Sequence, residues 1–200
     1  MTTVKEIAKP MFVMYILIAI VALIKMPLGT LFSPPLTPEN TKRYEYIIPS
    51  SERENFEYGL VTTVSDGDTI EINDKDKIRF LGIDTPELEH KSSNIKLECF
   101  AKDAEARMKQ LALGKYVYLE KESRDKDKYG RLLRNVFLPL DKEETKFLYL
   151  NGYMLGEGYA RLYVLEKKLK YKSDLEVYQE EAQLDKKGLW GSCDREKFRW

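Results

Sequence analysis

The stretch that decides the fold is VSDGDTIEI at residues 64–72, followed by IRFLGIDTPE at residues 78–87. Apolar residues alternate with polar ones on both sides of Ser-Asp-Gly-Asp, which has the composition of a turn, so two strands joined by a short connection are predicted. A third, more apolar strand follows a polar Asp-Lys-Asp turn. The predicted strands cover residues 58–64, 69–73 and 77–83.

The pattern outside this stretch adds three helices and three more strands. Phe100, Ala104, Met108 and Leu111 fall on one helical face, and Gly114 follows as a stop signal. Five or so short strands with an inserted helix and a C-terminal helix predict a small α+β domain built on a barrel. The helices are predicted at residues 98–113, 151–157 and 173–187, and the strands at 115–121, 132–138 and 159–164.

The charge of the chain is dense but balanced, with 33 Lys and Arg residues against 33 Asp and Glu residues. Proteins that bind nucleic acid without sequence preference usually carry a basic surplus, because phosphate contacts supply most of their affinity. Any contact with nucleic acid must therefore be local. It must depend on a few placed Arg and Lys residues, or on a metal ion that neutralises nearby acidic groups.

Residues 11–24 read MFVMYILIAIVALI and carry no charge, with Lys5 and Lys9 before them and Lys25 after them. A membrane span needs about 20 residues, a length that is reached if the segment extends to Phe32. Two interpretations stay open, an uncleaved membrane anchor and a cleaved signal peptide, and the lack of an A-x-A-like cleavage site favours the anchor. Both predict a membrane-anchored or secreted protein whose domain lies on the extracytoplasmic side.

The sequence divides into three parts. Residues 1–32 are predicted to be a hydrophobic N-terminal helix that serves as an anchor or signal segment, residues 33–55 a proline-containing extended linker, and residues 56–200 the globular domain. Cys99 and Cys193 are too few for a disulfide scaffold. One bridge between them is an option outside the cytoplasm, and two unrelated thiols are the alternative.

Carboxylates cluster at the ends of the predicted strands. Asp66 and Asp68 flank a glycine in the first turn, while Asp84 ends the third strand and is followed by Thr85-Pro86-Glu87. Such carboxylates repel one another unless a hard cation lies among them, and Ca²⁺ accepts carboxylate and carbonyl oxygens in irregular geometry. The sequence thus points to Ca²⁺ as the cofactor, with a plain hairpin turn as the alternative.

Two basic features accompany these carboxylates. Arg79 interrupts the apolar strand IRFLGI, and a guanidinium group there can grip a phosphate through two hydrogen bonds. The segment DKYGR at residues 127–131 is a tight turn that presents Lys128, Tyr129 and Arg131 together. Taken singly, the first is equally an outward-facing arginine at a strand edge and the second a charged hairpin.

Taken together, residues 57–190 resemble the staphylococcal nuclease (thermonuclease) family. The carrying segments, in the family's order, are VSDGDTIEI, IRFLGIDTPE, DKYGRLLRNVF, GEGYARLY and EAQLDKKGLW. The resemblance implies that residues 56–200 are a staphylococcal-nuclease-like domain, an OB-fold of five barrel strands with three helices, an architecture that often binds nucleic acid.

The resemblance also implies roles for individual residues. Asp68 and Asp84 would bind Ca²⁺ through their side chains and Thr85 through its carbonyl, with Asp66 only shaping the turn. Glu87 would activate water, Arg79 and Arg131 would stabilise the scissile phosphate, and Lys128 and Tyr129 would hold a neighbouring phosphate. Tyrosines of the family stack on a nucleobase, a role predicted here for Tyr163, whereas Tyr159 is predicted to pack in the core.

The expected function is that of a Ca²⁺-dependent endonuclease acting as a monomer on DNA or RNA and leaving 3′-phosphate and 5′-hydroxyl ends. The alternative is a catalytically silent OB module, tethered to the membrane, that binds nucleic acid or protein. A third interpretation, a membrane interaction protein with a structural Ca²⁺ turn, leaves Arg79 and Arg131 unexplained. His90, the single histidine, has no assigned role.

Overall fold

Strand pairing closes a five-stranded barrel in the computed structural model, which describes residues 34–89, 96–164 and 168–194. The strands β2, β3 and β4 form an antiparallel meander, β4 runs parallel to β7, and β6 pairs with both β2 and β7 to close the barrel. The α+β fold class and the OB-type barrel are therefore confirmed. In chain order the strands are β1 Glu45–Ile47, β2 Glu57–Val64, β3 Thr69–Ile72, β4 Asp76–Phe80, β5 Ile83–Asp84, β6 Tyr116–Lys126, β7 Leu132–Pro139, β8 Lys146–Tyr149 and β9 Arg161–Leu162.

Three helices longer than four residues pack on the barrel in the part of the chain that the structure describes, as the sequence predicts. Two of them, α4 and α5, pack against each other, and α3 lies against β2. Ala104, Met108 and Leu111 of α3 are fully buried, which confirms the apolar face predicted from their spacing. In chain order the helices are α1 Pro38–Thr41, α2 Ser50–Arg53, α3 Ala101–Ala112, α4 Leu150–Gly156, α5 Lys172–Leu184 and α6 Leu189–Ser192.

The alternation of side chains along β4 separates the core from the site. Ile78 and Phe80 are buried in the core, whereas Arg79 between them lies on the opposite face of the strand. The predicted strand at 77–83 is broken at Gly82, whose φ of +76° lies in the left-handed region. This break redirects the chain, so that Asp84 lies on the separate strand β5, paired with β9.

The predicted extended linker at residues 33–55 is wrong where the structure describes it. Residues 45–47 pair with β8 as an added sheet strand, and Tyr44 is 1% exposed in the hydrophobic core. The Tyr44 hydroxyl donates to Glu157 Oε1 at 2.8 Å. The prolines of this segment suggest a tether, but the aromatic residues between them bury enough apolar surface to fix it on the domain.

Cys99 and Cys193 form a disulfide, which decides between the two interpretations left open by the sequence. The hydrophobic segment within residues 1–32 and the histidine at position 90 both lie outside the described residues. Within the described ranges, none of the helices has the length and apolar character that a membrane crossing requires.

Candidate active site

The strand register brings the predicted site residues together. Thr69 of β3 faces Arg79 of β4 across the antiparallel pair, and Arg79 faces Leu133 of the parallel neighbour β7. Asp68 directly precedes Thr69, and Arg131 lies two residues before Leu133. Three neighbouring strands thus deliver an aspartate, an arginine and a second arginine to one end of the barrel.

The Asp-Gly-Asp turn is packed closely against the Asp84-Thr85 segment. A side chain at Gly67 would lie 2.7 Å from Thr85 Cγ2 and 2.9 Å from Ala104 Cβ, so only glycine fits this approach. Thr85 donates to Asp68 Oδ2 from its backbone N–H at 2.7 Å and from its hydroxyl at 3.0 Å. These bonds hold Asp68 and Thr85 side by side, although they are 17 residues apart in the chain.

Arg79 bridges the two aspartates predicted to bind metal. Its Nη2 donates to Asp84 Oδ1 at 2.6 Å, and its Nη1 contacts Asp68 Oδ2. The Arg79 side chain is only 11% exposed, and burial lowers its pKa from the ordinary arginine value, which Asp84 partly counteracts. Since one cation already contacts both carboxylates, their oxygens face a common point.

Arg131 is fixed by a turn that Asp127 organises. Asp127 accepts from the backbone N–H groups of Tyr129 and Arg131 at 2.8 and 2.9 Å and from Arg131 Nε at 2.7 Å. Burial opposes ionisation of Asp127, but these hydrogen bonds outweigh it and lower its pKa. Arg131 Nη1 also reaches Thr69 Oγ1 at 3.4 Å, and Thr69 donates to Asp68 Oδ1 at 3.0 Å. The second arginine is therefore connected to the aspartate cluster.

Glu87 is the remaining carboxylate predicted to act in the reaction. Burial raises its pKa, and the negative charges of Asp66 and Asp84 raise it further. Asp66 also has a raised pKa, chiefly because it is buried. A cation bound among these groups would lower the pKa of both Glu87 and Asp66, because it offsets the repulsion between the carboxylates.

One cavity of 680 Å³ joins all of these groups. Its walls include five basic side chains, Arg79, Arg124, Lys128, Arg131 and Arg161, and five acidic ones, Asp66, Asp68, Asp84, Glu87 and Asp127. The volume lies within the range of about 300–1,000 Å³ that is usual for ligand sites. All nine predicted site residues line it: Asp68, Arg79, Asp84, Thr85, Glu87, Lys128, Tyr129, Arg131 and Tyr163.

The aromatic residues of the site differ in exposure. Tyr129 is 72% exposed, and its ring lies 4.9 Å from Lys128 Nζ and 5.5 Å from the Arg131 guanidinium carbon. Tyr163 is 46% exposed at the cavity wall, where its backbone N–H donates to Gly82. Tyr159 instead packs against Phe100, with the ring centroids 5.6 Å apart.

Three further residues of the site have no role assigned from the sequence. Asp127 organises the Arg131 turn, Arg161 donates two hydrogen bonds to Asp84 Oδ2, and Glu98 accepts from the Glu87 backbone N–H. Arg161 lies within the quoted segment GEGYARLY and Asp127 within DKYGRLLRNVF, so their places in these motifs are the signals that were available. Glu98 becomes recognisable only when the chain is folded.

The oxygen donors at the predicted metal site are of the kind that Ca²⁺ prefers. Asp68, Asp84 and the carbonyl of Thr85 would hold the ion. The bridging position of Arg79 indicates that a cation is accommodated between the carboxylates. Among the described residues, no group of three or more His, Cys, Asp or Glu side chains is arranged to hold a metal ion. Any ion would therefore need the Thr85 carbonyl and water as additional ligands.

Comparison with known proteins places this geometry in context. Residues 77–192 match the family model described as staphylococcal nuclease homologue, and this range contains Arg79, Asp84, Glu87, Arg131 and Arg161. The Asp-Gly-Asp turn lies just before the matched range. The family model covers more than half of the chain.

Several proteins named endonuclease or thermonuclease are similar to this chain. The endonuclease YncB of Bacillus subtilis (strain 168) is 37% identical over 131 residues, which span 62% of this chain and 57% of the Bacillus protein. The thermonuclease of Staphylococcus hyicus is 34% identical over 136 residues, 66% of this chain and 75% of that protein. An uncharacterised endonuclease of Escherichia coli O157:H7 is 34% identical over 142 residues, 68% of this chain and 79% of its own length.

Proposed function

This chain belongs to the staphylococcal nuclease family, and we propose that its described domain is a Ca²⁺-dependent endonuclease. Relatives named endonuclease and thermonuclease support nuclease activity as the general class. The more specific proposal is hydrolysis of phosphodiester bonds in DNA, RNA or both, with 3′-phosphate and 5′-hydroxyl ends as products.

One observation carries the proposal. Asp68, Arg79, Asp84, Glu87 and Arg131 come from separate parts of the chain and line a single cavity. A silent binding module has no need for two arginines and a water-activating carboxylate beside an aspartate pair. The presence of all five side chains in one cavity therefore favours catalysis over binding alone.

The residues divide the chemistry between them. Ca²⁺, when bound by Asp68, Asp84 and Thr85, would supply Lewis-acid polarisation of the phosphate and help to activate water. Glu87 would accept the proton of the attacking water, and burial raises its pKa, which makes it a stronger base than an exposed carboxylate. Arg79 and Arg131 would donate to the phosphate oxygens, where charge builds in the transition state. Asp127 holds Arg131 in position for this contact, and strand β4 holds Arg79.

The substrate contacts in this proposal are local. The five basic side chains of the cavity equal its five acidic ones in number, so the cavity lacks a broad positive surface. Lys128 and Tyr129 would contact a neighbouring phosphate from the exposed turn, and Tyr163 would stack on a base. Affinity would thus depend strongly on the bound cation.

We also infer that the domain works outside the cytoplasm. The Cys99–Cys193 disulfide supports this, because disulfides persist in oxidising compartments and are rare in the cytosol. A Ca²⁺ requirement is consistent with it, since weak sites with dissociation constants of about 10⁻⁴–10⁻³ M are filled outside cells. Membrane anchoring by residues 11–24 and the monomeric state stay predictions.

The proposal can be tested with the full chain and covalently closed circular single-stranded DNA. The substrate has no ends, so its linearisation requires an endonuclease. Reactions contain Ca²⁺ or EGTA, and Glu87→Gln serves as the matched variant. A 3′-phosphate would block extension of the products by a template-independent DNA polymerase until a phosphatase removes it, whereas a 3′-hydroxyl would be extended at once.

Linearisation with Ca²⁺ and its loss with EGTA are the expected results, together with polymerase extension only after phosphatase treatment. Binding of the circle without cleavage would contradict the proposal and favour the silent OB module. Cleavage that persists in EGTA would contradict the Ca²⁺ dependence. A parallel reaction with single-stranded RNA establishes whether both nucleic acids are substrates.

A further inference from the structure

The backbone of Glu87 is clamped by Glu98 across a gap of eleven residues. The Glu87 N–H donates to Glu98 Oε2 at 2.9 Å, and the Glu98 N–H donates to the Glu87 carbonyl at 3.0 Å. The next residue after Glu98 is Cys99, which the disulfide joins to Cys193. We propose that Glu98, anchored by this disulfide, is a positioning residue that sets the place of Glu87 in the reaction. This inference rests on the proposed function of Glu87.

The far end of the disulfide is fixed to the domain. Cys193 follows α6 and donates from its N–H to the Leu189 carbonyl at 3.1 Å, while Leu189 donates to the Gly158 carbonyl at 2.8 Å. The backbones at Gly158 and Gly188 approach so closely that neither position has room for a side chain. Cys193 therefore gives Cys99 a rigid attachment point, although 94 residues separate the two cysteines.

At the other end of the disulfide, Cys99 is the immediate chain neighbour of Glu98. The Glu98 carbonyl accepts from Ala101 N–H at 3.3 Å, so Glu98 is also bonded to the start of α3. Glu98 and Cys99 are otherwise exposed. The disulfide thus contributes a constraint that exposed residues of this kind would not have from core packing.

Arg79 and Arg131 are held in place by parts of the chain other than the disulfide. Arg79 lies on barrel strand β4, and Arg131 is held by its hydrogen bonds to Asp127 in the turn before β7. Loss of the Glu98 clamp should consequently disturb the water-activating carboxylate and leave the phosphate contacts in place. In kinetic terms, kcat should fall while KM stays nearly constant.

Because Cys99 is exposed, the contact between Glu98 and Glu87 should depend on the redox state of the surroundings. Exposed disulfides are more open to thiol exchange than buried ones. Reduction would free Cys99 from Cys193, and the Glu98 side chain would then hold Glu87 less firmly. The enzyme would be fully active where disulfides persist and less active after reduction.

The test combines Glu98→Ala with reduction by dithiothreitol in the full chain at saturating Ca²⁺. Displacement of a catalytic group by about 1 Å can cost about 10²-fold in rate. We expect oxidised Glu98→Ala to lose about 10- to 100-fold in kcat with KM changed less than about twofold. Glu98→Gln keeps an acceptor for the Glu87 N–H and should recover most of the rate. Glu105→Ala removes a glutamate of α3 that pairs with Lys109 and is the matched control.

Reduction tests whether the disulfide and Glu98 act on Glu87 through the same contact. Reduction should lower kcat of the native chain and add little to the loss already present in Glu98→Ala, because both changes release the same clamp. Equal further losses in both proteins would overturn the link between the disulfide and Glu98. An unchanged kcat in oxidised Glu98→Ala, whose disulfide is intact, would overturn the positioning role itself.

Hydrogen exchange provides a readout that does not require cleavage. The Glu87 amide should exchange faster in Glu98→Ala and in the reduced protein than in the oxidised native chain, with circular dichroism used to verify folding. If the native chain does not cleave nucleic acid at all, the proposed function fails, while amide exchange still tests the clamp. Unchanged protection in both altered proteins would contradict the clamp.

Discussion

Arg161 and Asp84 are direct cross-strand partners of β9 and β5, and the arginine donates two hydrogen bonds to one carboxylate oxygen. Nε and Nη2 of Arg161 lie 3.0 and 2.6 Å from Asp84 Oδ2. The other oxygen, Oδ1, accepts from Arg79 at 2.6 Å. The carboxylate predicted to bind Ca²⁺ is therefore oriented from both sides by guanidinium groups.

This arrangement predicts that Arg161→Ala lowers kcat/KM by about 10- to 100-fold, because Asp84 loses the group that fixes its orientation. Arg161→Lys should lose less, since an ammonium group retains the charge but makes a single-point contact. Steady-state cleavage of a fluorescent oligonucleotide measures both. Lys172→Ala, on an exposed α5 pair with Glu176, is the control. Native kinetics in Arg161→Ala would show that Asp84 needs only Arg79.

Thermal stability should distinguish Arg79 from Arg131, the two arginines proposed to contact the scissile phosphate. Arg79→Ala and Arg131→Ala are each expected to lower kcat by about 10²–10³-fold, the usual loss for an electrostatic donor. Removal of Arg79 also leaves the Asp68 and Asp84 carboxylates without the cation that bridges them, so its Tm in EGTA should fall more than that of Arg131→Ala. Thermal denaturation with and without Ca²⁺ measures this. Equal Tm values in EGTA would count against the bridge as a structural element.

The acid limb of the pH–rate profile should reflect Glu87. Burial and repulsion from Asp66 and Asp84 raise its pKa above the ordinary value of 4.5. A base must be ionised, so kcat/KM should fall as the pH drops through this raised pKa, at a pH above 4.5. More Ca²⁺ should move the limb to lower pH, because the cation favours the carboxylate. A limb at or below the ordinary value at low Ca²⁺ would contradict this assignment.

Asp66→Asn should stabilise the metal-free protein at neutral pH. Burial raises the pKa of Asp66, so the folded state binds a proton that the unfolded chain has already released. Above the raised pKa the buried carboxylate costs free energy, and below the ordinary value of 3.8 both states are protonated and the cost disappears. Asparagine keeps the acceptor for the Asp68 N–H, which lies at 3.0 Å.

A gain of about 1 kcal/mol corresponds to a rise of about 2–4 °C in Tm for a protein of this size. The expected result in EGTA is a rise of this order at pH 7 and no gain at low pH, where the native aspartate is protonated. Differential scanning calorimetry across this pH range provides the measurement. A destabilised variant at neutral pH would mean that attraction to Arg79 outweighs the burial of Asp66.

Local patterns in the sequence predicted the barrel and most of the site. The alternation around the Asp-Gly-Asp turn gave β2 and β3, and helical spacing gave α3 with its buried face. The nine predicted site residues all line one cavity, because they occupy strand ends and turns that the motif specifies directly. The added strand β1 was missed, since prolines near it suggest an open tether while Tyr44 packs in the core.

The amino-acid sequence by itself determined which side chains can carry the chemistry, because residue type and motif spacing fix charge, donor atoms and the places where the chain turns. The tertiary structure alone decided how those groups are held. Arg161 meets Asp84 through strand register, and Glu98 meets Glu87 beside a disulfide that joins Cys99 to a residue 94 positions away. Such contacts depend on distances in the folded chain, which spacing along the sequence does not contain.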